Sequence, residues 1–108
     1  MNFKIVYTDH FERELKRLAK KYRSIKNDLA ELFNQLQENP TTGTPLGKDC
    51  YKIRLAISAK QKGKSAGARV ITHLHIQGQT IFLLSIYDKS QQESISDKDI
   101  SAILNQID

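Results

Sequence analysis

Lys52, Arg54, Lys60, Lys62, Lys64 and Arg69 crowd into one stretch, CYKIRLAISAKQKGKSAGAR, and residues of these types could hold a phosphate-bearing partner. Guanidinium grips phosphate in a planar fork and stays protonated, whereas a lysine ammonium is a mobile point charge. Spacing adds to the signal. From Tyr51 to Ser58, the apolar Tyr51, Ile53, Leu55 and Ile57 alternate with Lys52, Arg54, Ala56 and Ser58, the period-two pattern of a strand with a greasy and a cationic face. Residues 48 to 69 hold seven Lys or Arg against the single acid Asp49, while residues 88 to 108 hold five acids against Lys89 and Lys98. Clustered cations attract nucleic acid or acidic partners by counterion release, which says little about sequence choice. A merely solvated strand face is the plain alternative. Against it, like charges on adjacent strands cost stability unless something anionic visits them.

Other chemistries fit less well. Gly63, Lys64 and Ser65 look superficially like a phosphate-binding loop, but Ser58 stands where the first glycine of GxxxxGK[ST] belongs, and the segment leads into a strand. His73 and His75 share a strand face with no Asp or Glu nearby, so two ligands are too few for a metal site. No Ser, His and Asp set can be assembled, and paired carboxylates are missing from the cationic face. Asp88 falls on the core side of its strand. Cys50, the only cysteine, excludes an internal disulfide and reads as a small hydrophobe in a reducing compartment. No cofactor is expected.

The elements that must position the cations follow from periodicity. Phe3 to Tyr7 is a short strand, closed by Thr8 and Asp9, either of which could cap the next helix. Phe11, Leu15, Leu18, Ala19 and Tyr22 form one amphipathic stripe, and Ile25, Leu29, Leu32, Phe33 and Leu36 repeat it after Ser24, giving a helical hairpin packed on one face of a sheet. Asn39 and Pro40 stop the second helix, and Thr41 to Asp49 reads as loop. The second strand is Cys50 to Ser58. The third runs Ala68 to Ile76, with Val70, Thr72, Leu74 and Ile76 inward and Arg69, Ile71, His73 and His75 outward. After a tight turn at Gln77 to Gln79, Ile81 to Tyr87 is a fourth strand. If its Phe82, Leu84 and Ile86 face the helices, Ser85 and Tyr87 face the cations. Ser96 with Asp99 opens a short last helix striped by Ile100, Ile103, Leu104 and Ile107.

At 108 residues the chain is read as a single α+β domain spanning 1–108, able to bury roughly two-thirds of its unfolded surface. MNFKIVYTDHF lacks an apolar signal core and no run approaches a membrane span, so a cytoplasmic location without membrane contact is expected.

The order of elements, with NPTTGTPLGKD, CYKIRL, KGKSAGARVI and LLSIYDKSQQESIS, resembles the RelE/ParE superfamily of bacterial toxins over nearly the whole chain. The resemblance implies helices on a twisted antiparallel sheet, cleavage of messenger RNA in the ribosomal decoding site with contacts to 16S rRNA, and neutralisation by a cognate antitoxin. It places catalytic basic residues at Lys52, Arg54, Arg69 and Lys89; Tyr87 joins them as a catalytic candidate on the same predicted face, and Lys60, Lys62 and Lys64 of the basic loop, with His73, are read as RNA-binding. The implied chemistry is attack of a ribose 2′-hydroxyl on the neighbouring phosphorus, which needs no metal if cations stabilise the phosphorane. Arg54 and Arg69 would hold the phosphate, Lys52 would act as base if crowding lowers its pKa, and Tyr87 would stack on a base or assist proton transfer. The chain departs from the superfamily after Tyr87, where it has neither Tyr nor His. Gyrase poisoning and non-catalytic RNA binding are the competing functions.

Overall fold

The computed structural model describes residues 3–60 and 66–107. In chain order the elements are β1 (Lys4–Tyr7), α1 (Asp9–Lys21), α2 (Ile25–Glu38), β2 (Thr44–Gly47), β3 (Cys50–Leu55), β4 (Ala68–His75), β5 (Thr80–Asp88) and α3 (Asp97–Leu104), with a 3₁₀ turn at Ser58–Lys60. Thr8 caps α1, its hydroxyl accepting from Phe11 N at 3.2 Å, and Ser96 caps α3 by accepting from Asp99 N at 3.1 Å. Ser24 precedes α2 without making a side-chain cap, because its hydroxyl is used on Asp28 and on the 3₁₀ turn.

The α+β architecture stands as read, with two corrections to the sheet. Its order is β1-β5-β4-β3-β2, and β1 lies parallel to β5, so the sheet is mixed and not wholly antiparallel. The chain makes both helices before it returns, and a long crossover is what parallel pairing requires. Within the stretch read as loop, Thr44–Gly47 is an edge strand paired antiparallel with β3. Pro45 hid it, yet proline is tolerated on an edge where no ladder donor is needed. Gly47, Lys48 and Asp49 all have positive φ, as the tight return to β3 demands.

Two cores flank the sheet. The helical hairpin covers one face with Phe11, Leu15, Ile25, Leu29 and Leu36 against Ile53, Leu55, Val70, Leu74, Ile81, Leu83 and Ile86. On the other face, α3 lays Ile100 and Ile103 over Cys50, Ile71, Leu84 and Tyr87. The face expected to be simply cationic is therefore partly a second core. A bulge in β5 also corrects the strand's facing: Ile71 pairs with Ser85 and Thr72 with Leu83, leaving Leu84 as the extra residue. Alternation shifts there, so Phe82 and Leu84 belong to the α3 side, while Ile86 faces the hairpin and Tyr87 the opposite side. Ile76 sits beyond β4 in the turn and is exposed, not inward. Among the described residues no helix is long and apolar enough to cross a membrane.

Candidate functional site

Backbone register brings three of the expected residues into one row. Arg54 on β3 pairs with Arg69 on β4, and Arg69 pairs with Tyr87 on β5. Adjacent strands lie ~4.8 Å apart, so the row spans about 10 Å across the sheet. Lys52 stands two residues along β3 on the same face, opposite Ile71 and diagonal to Arg69, a separation of roughly 7–8 Å that long side chains bridge. Exposure is graded along the row. Arg54 is exposed and Lys52 half-buried, whereas Arg69 and Tyr87 each keep only 4% of their surface.

The buried end is held by backbone and by packing. Arg69 Nη1 donates to Ala68 O at 3.1 Å, which turns the guanidinium along its own strand. The Tyr87 ring packs under α3, so a base could stack on it only after neighbours moved. Its hydroxyl is buried without a hydrogen-bond partner among the described residues. Burial raises the phenol pKa, Arg69 pulls it down and Glu14 pushes it up, with a net rise. At neutral pH Tyr87 is thus a proton donor, not a phenolate.

The basic loop beside the row is clamped at both of its ends. Asp28, buried on α2, accepts from Ser58 N at 3.0 Å and Ser58 Oγ at 2.6 Å, and Ser24 Oγ accepts from Ala59 N at 2.9 Å. Lys60 Nζ donates to Asp88 Oδ1 at 2.7 Å and to Ala66 O at 3.1 Å. Asp88 also accepts from Tyr22 Oη at 2.7 Å and Ser90 Oγ at 2.7 Å. Burial alone would raise the Asp88 pKa, but the bonds from Lys60, Tyr22 and Ser90 outweigh it and hold the carboxyl well below the usual range. Burial likewise opposes the Lys60 charge, and Asp88 overcomes it, so the ammonium pKa is raised. On the far side Gly67 O accepts from Lys89 N at 3.1 Å.

The expected RNA-binding residues are placed differently from one another. Lys60 is turned inward onto Asp88, its side chain 13% exposed. Lys62 and Lys64 lie outside the described residues. His73 is half-buried, its ring 6.2 Å from that of Phe82 and its Nδ1 3.6 Å from Cys50 Sγ. Four residues of strand, about 13 Å, separate it from Arg69, so it is not brought into the row. Lys89 is exposed just past the end of β5. The Cys50 thiol is buried, and burial first, then Asp49, pushes its pKa up to about 11, with Lys48 opposing.

Sequence reasoning missed the acids that build this frame. Asp28 lies three residues after Ile25 and one before Leu29, inside an apolar helical stripe, and an acid there is a signal of a buried partner. Glu14 is the other. Its Oε1 accepts from Ser85 Oγ at 2.7 Å and Ile86 N at 3.1 Å, satisfying β5 beyond the point where β1 ends.

A cationic row on a five-stranded mixed sheet, backed by a helical hairpin, defines a class of small α+β domain with a basic sheet face. Residues 4–106 match the family described as the RelE toxin of the RelE/RelB toxin–antitoxin system. The chain belongs to that RelE family and is a toxin of a toxin–antitoxin module. A substituted E. coli RelE in the free state superposes with a TM-score of 0.63 at 21% identity, covering 99% of both chains. RelE in the intact E. coli RelBE toxin–antitoxin complex gives 0.59 at 20% identity over 81% of this chain and 96% of that one. The substituted RelE bound to a RelB peptide gives 0.59 at 19% identity over 99% of each. At such identities the likeness shows the fold. Comparison with curated protein sequences found no match.

Proposed function

We propose that this chain is a translation-inhibiting endoribonuclease that cuts messenger RNA on the ribosome, without a metal, and is silenced by a cognate antitoxin. The observation that supports this most is the in-register row of Arg54, Arg69 and Tyr87 with Lys52 beside it. Two guanidinium groups on neighbouring strands would together hold the non-bridging oxygens of one phosphate. Charge that accumulates as a 2′-hydroxyl attacks phosphorus is stabilised by groups already oriented, the usual largest contribution to such catalysis. Lys52, half-buried at the open side of the row, is the candidate to take the 2′-proton, which it would do as the neutral amine. Tyr87, protonated and buried, is suited to donate to the departing 5′-oxygen.

The solved complexes of E. coli RelE with RelB support an antitoxin partner for this chain as well. The decisive experiment is induction of the chain without a partner gene, followed by transcript 5′-end mapping with and without ribosomes. Ribosome-dependent new ends, with the upstream fragments left as 2′,3′-cyclic phosphates as 2′-hydroxyl attack requires, support the reading. Growth arrest with intact transcripts and altered plasmid supercoiling would reassign the chain to gyrase inhibition, and unimpaired growth would leave a non-toxic RNA binder.

A further inference from the structure

Beyond Leu83, β5 keeps β4 on one side but its β1 side is open, because the β1 ladder ends with the Tyr7–Leu83 pair. A recess of about 360 Å³ opens along this free edge, between α1 and the end of β5. That size lies at the lower end of small-ligand pockets. Arg17 and Lys21 of α1 and Tyr87 of β5 contribute to its walls.

The sequence arranges this flank. His10, Glu14, Arg17 and Lys21 follow at i, i+4, i+7 and i+11, one side of a helix whose apolar stripe is buried elsewhere. Two acids also line the recess, but both are occupied. Glu14 holds Ser85, Ile86 N and, at 3.0 Å, His10 Nε2. Asp88 is neutralised by Lys60. Arg17 and Lys21, by contrast, are exposed and take part in no ion pair among the described residues. Lys21 lies over the Tyr22 ring, 5.3 Å from its centroid, which keeps its ammonium beside the recess. Tyr87, in register with Arg69, also lines the recess, and its hydroxyl is, with Thr72 Oγ1, one of two buried side-chain polar atoms without a hydrogen-bond partner among the described residues. Such a group is destabilising unless a partner arrives.

From this geometry we infer that the recess between α1 and the end of β5 is a second RNA subsite, where Arg17 and Lys21 bind backbone phosphates flanking the one held by Arg54 and Arg69. The inference rests on the RNA reading proposed above. It extends the cationic row around the free edge of β5, with Tyr87 as the shared wall, so that one strand of RNA is held on both sides of the cut. RNA is favoured over an acidic peptide because Tyr87, which lines the recess, stands in register with Arg69 of the arginine row.

The test is binding of a fluorescein-labelled, 2′-O-methylated single-stranded oligoribonucleotide to the full chain, by anisotropy over a salt series. R17A/K21A should weaken binding about 10- to 30-fold near 0.1 M salt and flatten the log–log salt slope by about 1.4, the effect of two single-strand phosphate contacts. R17K/K21R, which keeps both charges, should retain the wild-type slope, separating charge from any change in folding. Unchanged affinity and slope in R17A/K21A, while Arg54→Ala weakens binding, would overturn the subsite and leave the proposed function standing. Absence of salt-dependent binding by the wild type would sink both. Intact RNA binding with lost antitoxin affinity in R17A/K21A would make this a protein-binding flank and overturn the proposal.

Discussion

Lys60 Nζ lies 2.7 Å from Asp88 Oδ1, tying the start of the basic loop to the last residue of β5. Both side chains are largely buried, so each needs the other. Removing one partner of a buried pair leaves an uncompensated charge, and Asp88→Asn is expected to cost about 3–5 kcal/mol in denaturant unfolding. The pH dependence has two signs. Asp88 has a lowered folded pKa, so its contribution is complete above the unfolded carboxylate value of about 3.9 and is lost as pH falls below it. Lys60 has a raised one, so its contribution is complete below the unfolded value of about 10.4 and is lost as pH rises through the folded pKa. Between these limits the pair itself adds no pH dependence, and Asp88→Asn should lack the loss on the acid side that this residue supplies.

Arg54 and Arg69 stand directly opposite each other, an arrangement that favours an anionic ligand over stability. Arg54→Ala should therefore leave unfolding free energy unchanged or raise it by a few tenths of a kcal/mol, while reducing ribosome-dependent cleavage. Arg69→Ala should lower cleavage by roughly 10²–10³-fold, the scale for loss of one oriented donor. Arg69→Lys should rescue poorly, because an ammonium cannot reproduce the fork. Wild-type cleavage by Arg69→Ala would remove that residue from the site.

Gly67 is where the returning loop meets the end of β3. A Cβ there would overlap Leu55 O and come within 3.0 Å of Ile57 N, both backbone atoms that cannot swing aside. Gly67→Ala should destabilise by about 1–3 kcal/mol, read as a lower denaturation midpoint at unchanged slope. Cleavage should fall with it, since Gly67 O also holds Lys89 N.

The Cys50 thiol, with its pKa pushed up to about 11, is not a nucleophile at neutral pH. Iodoacetamide should alkylate the native chain at least ~100-fold more slowly than the unfolded chain, in line with the lost thiolate fraction and access. Cys50→Ser should keep full cleavage activity, and a large loss would show that the thiol contributes to the site.

Local pattern made much of this protein legible. The stripes of α1, α2 and α3 are apolar at helical spacing, so three helices with those buried faces follow from the chain itself. Alternation through CYKIRL separated Ile53 and Leu55 from Lys52 and Arg54, and Asp88 was assigned to the core side, because both readings need only the period of one strand.

Long-range pairing decided the rest. The parallel partnership of β1 and β5 joins residues far apart in the chain, and local propensity carries no term for it. The bulge at Leu84 puts the two halves of β5 out of phase, so Phe82 and Leu84 lie on the α3 side although Ile86 faces the hairpin. The same ladders set Arg54, Arg69 and Tyr87 in one row, left His73 about four residues away from it, and turned Lys60 inward onto Asp88. Sequence determined which residues are cations and which face of a strand they occupy. Tertiary structure decided which cations meet, because register and burial are properties of neighbours that the chain reaches only after it has folded.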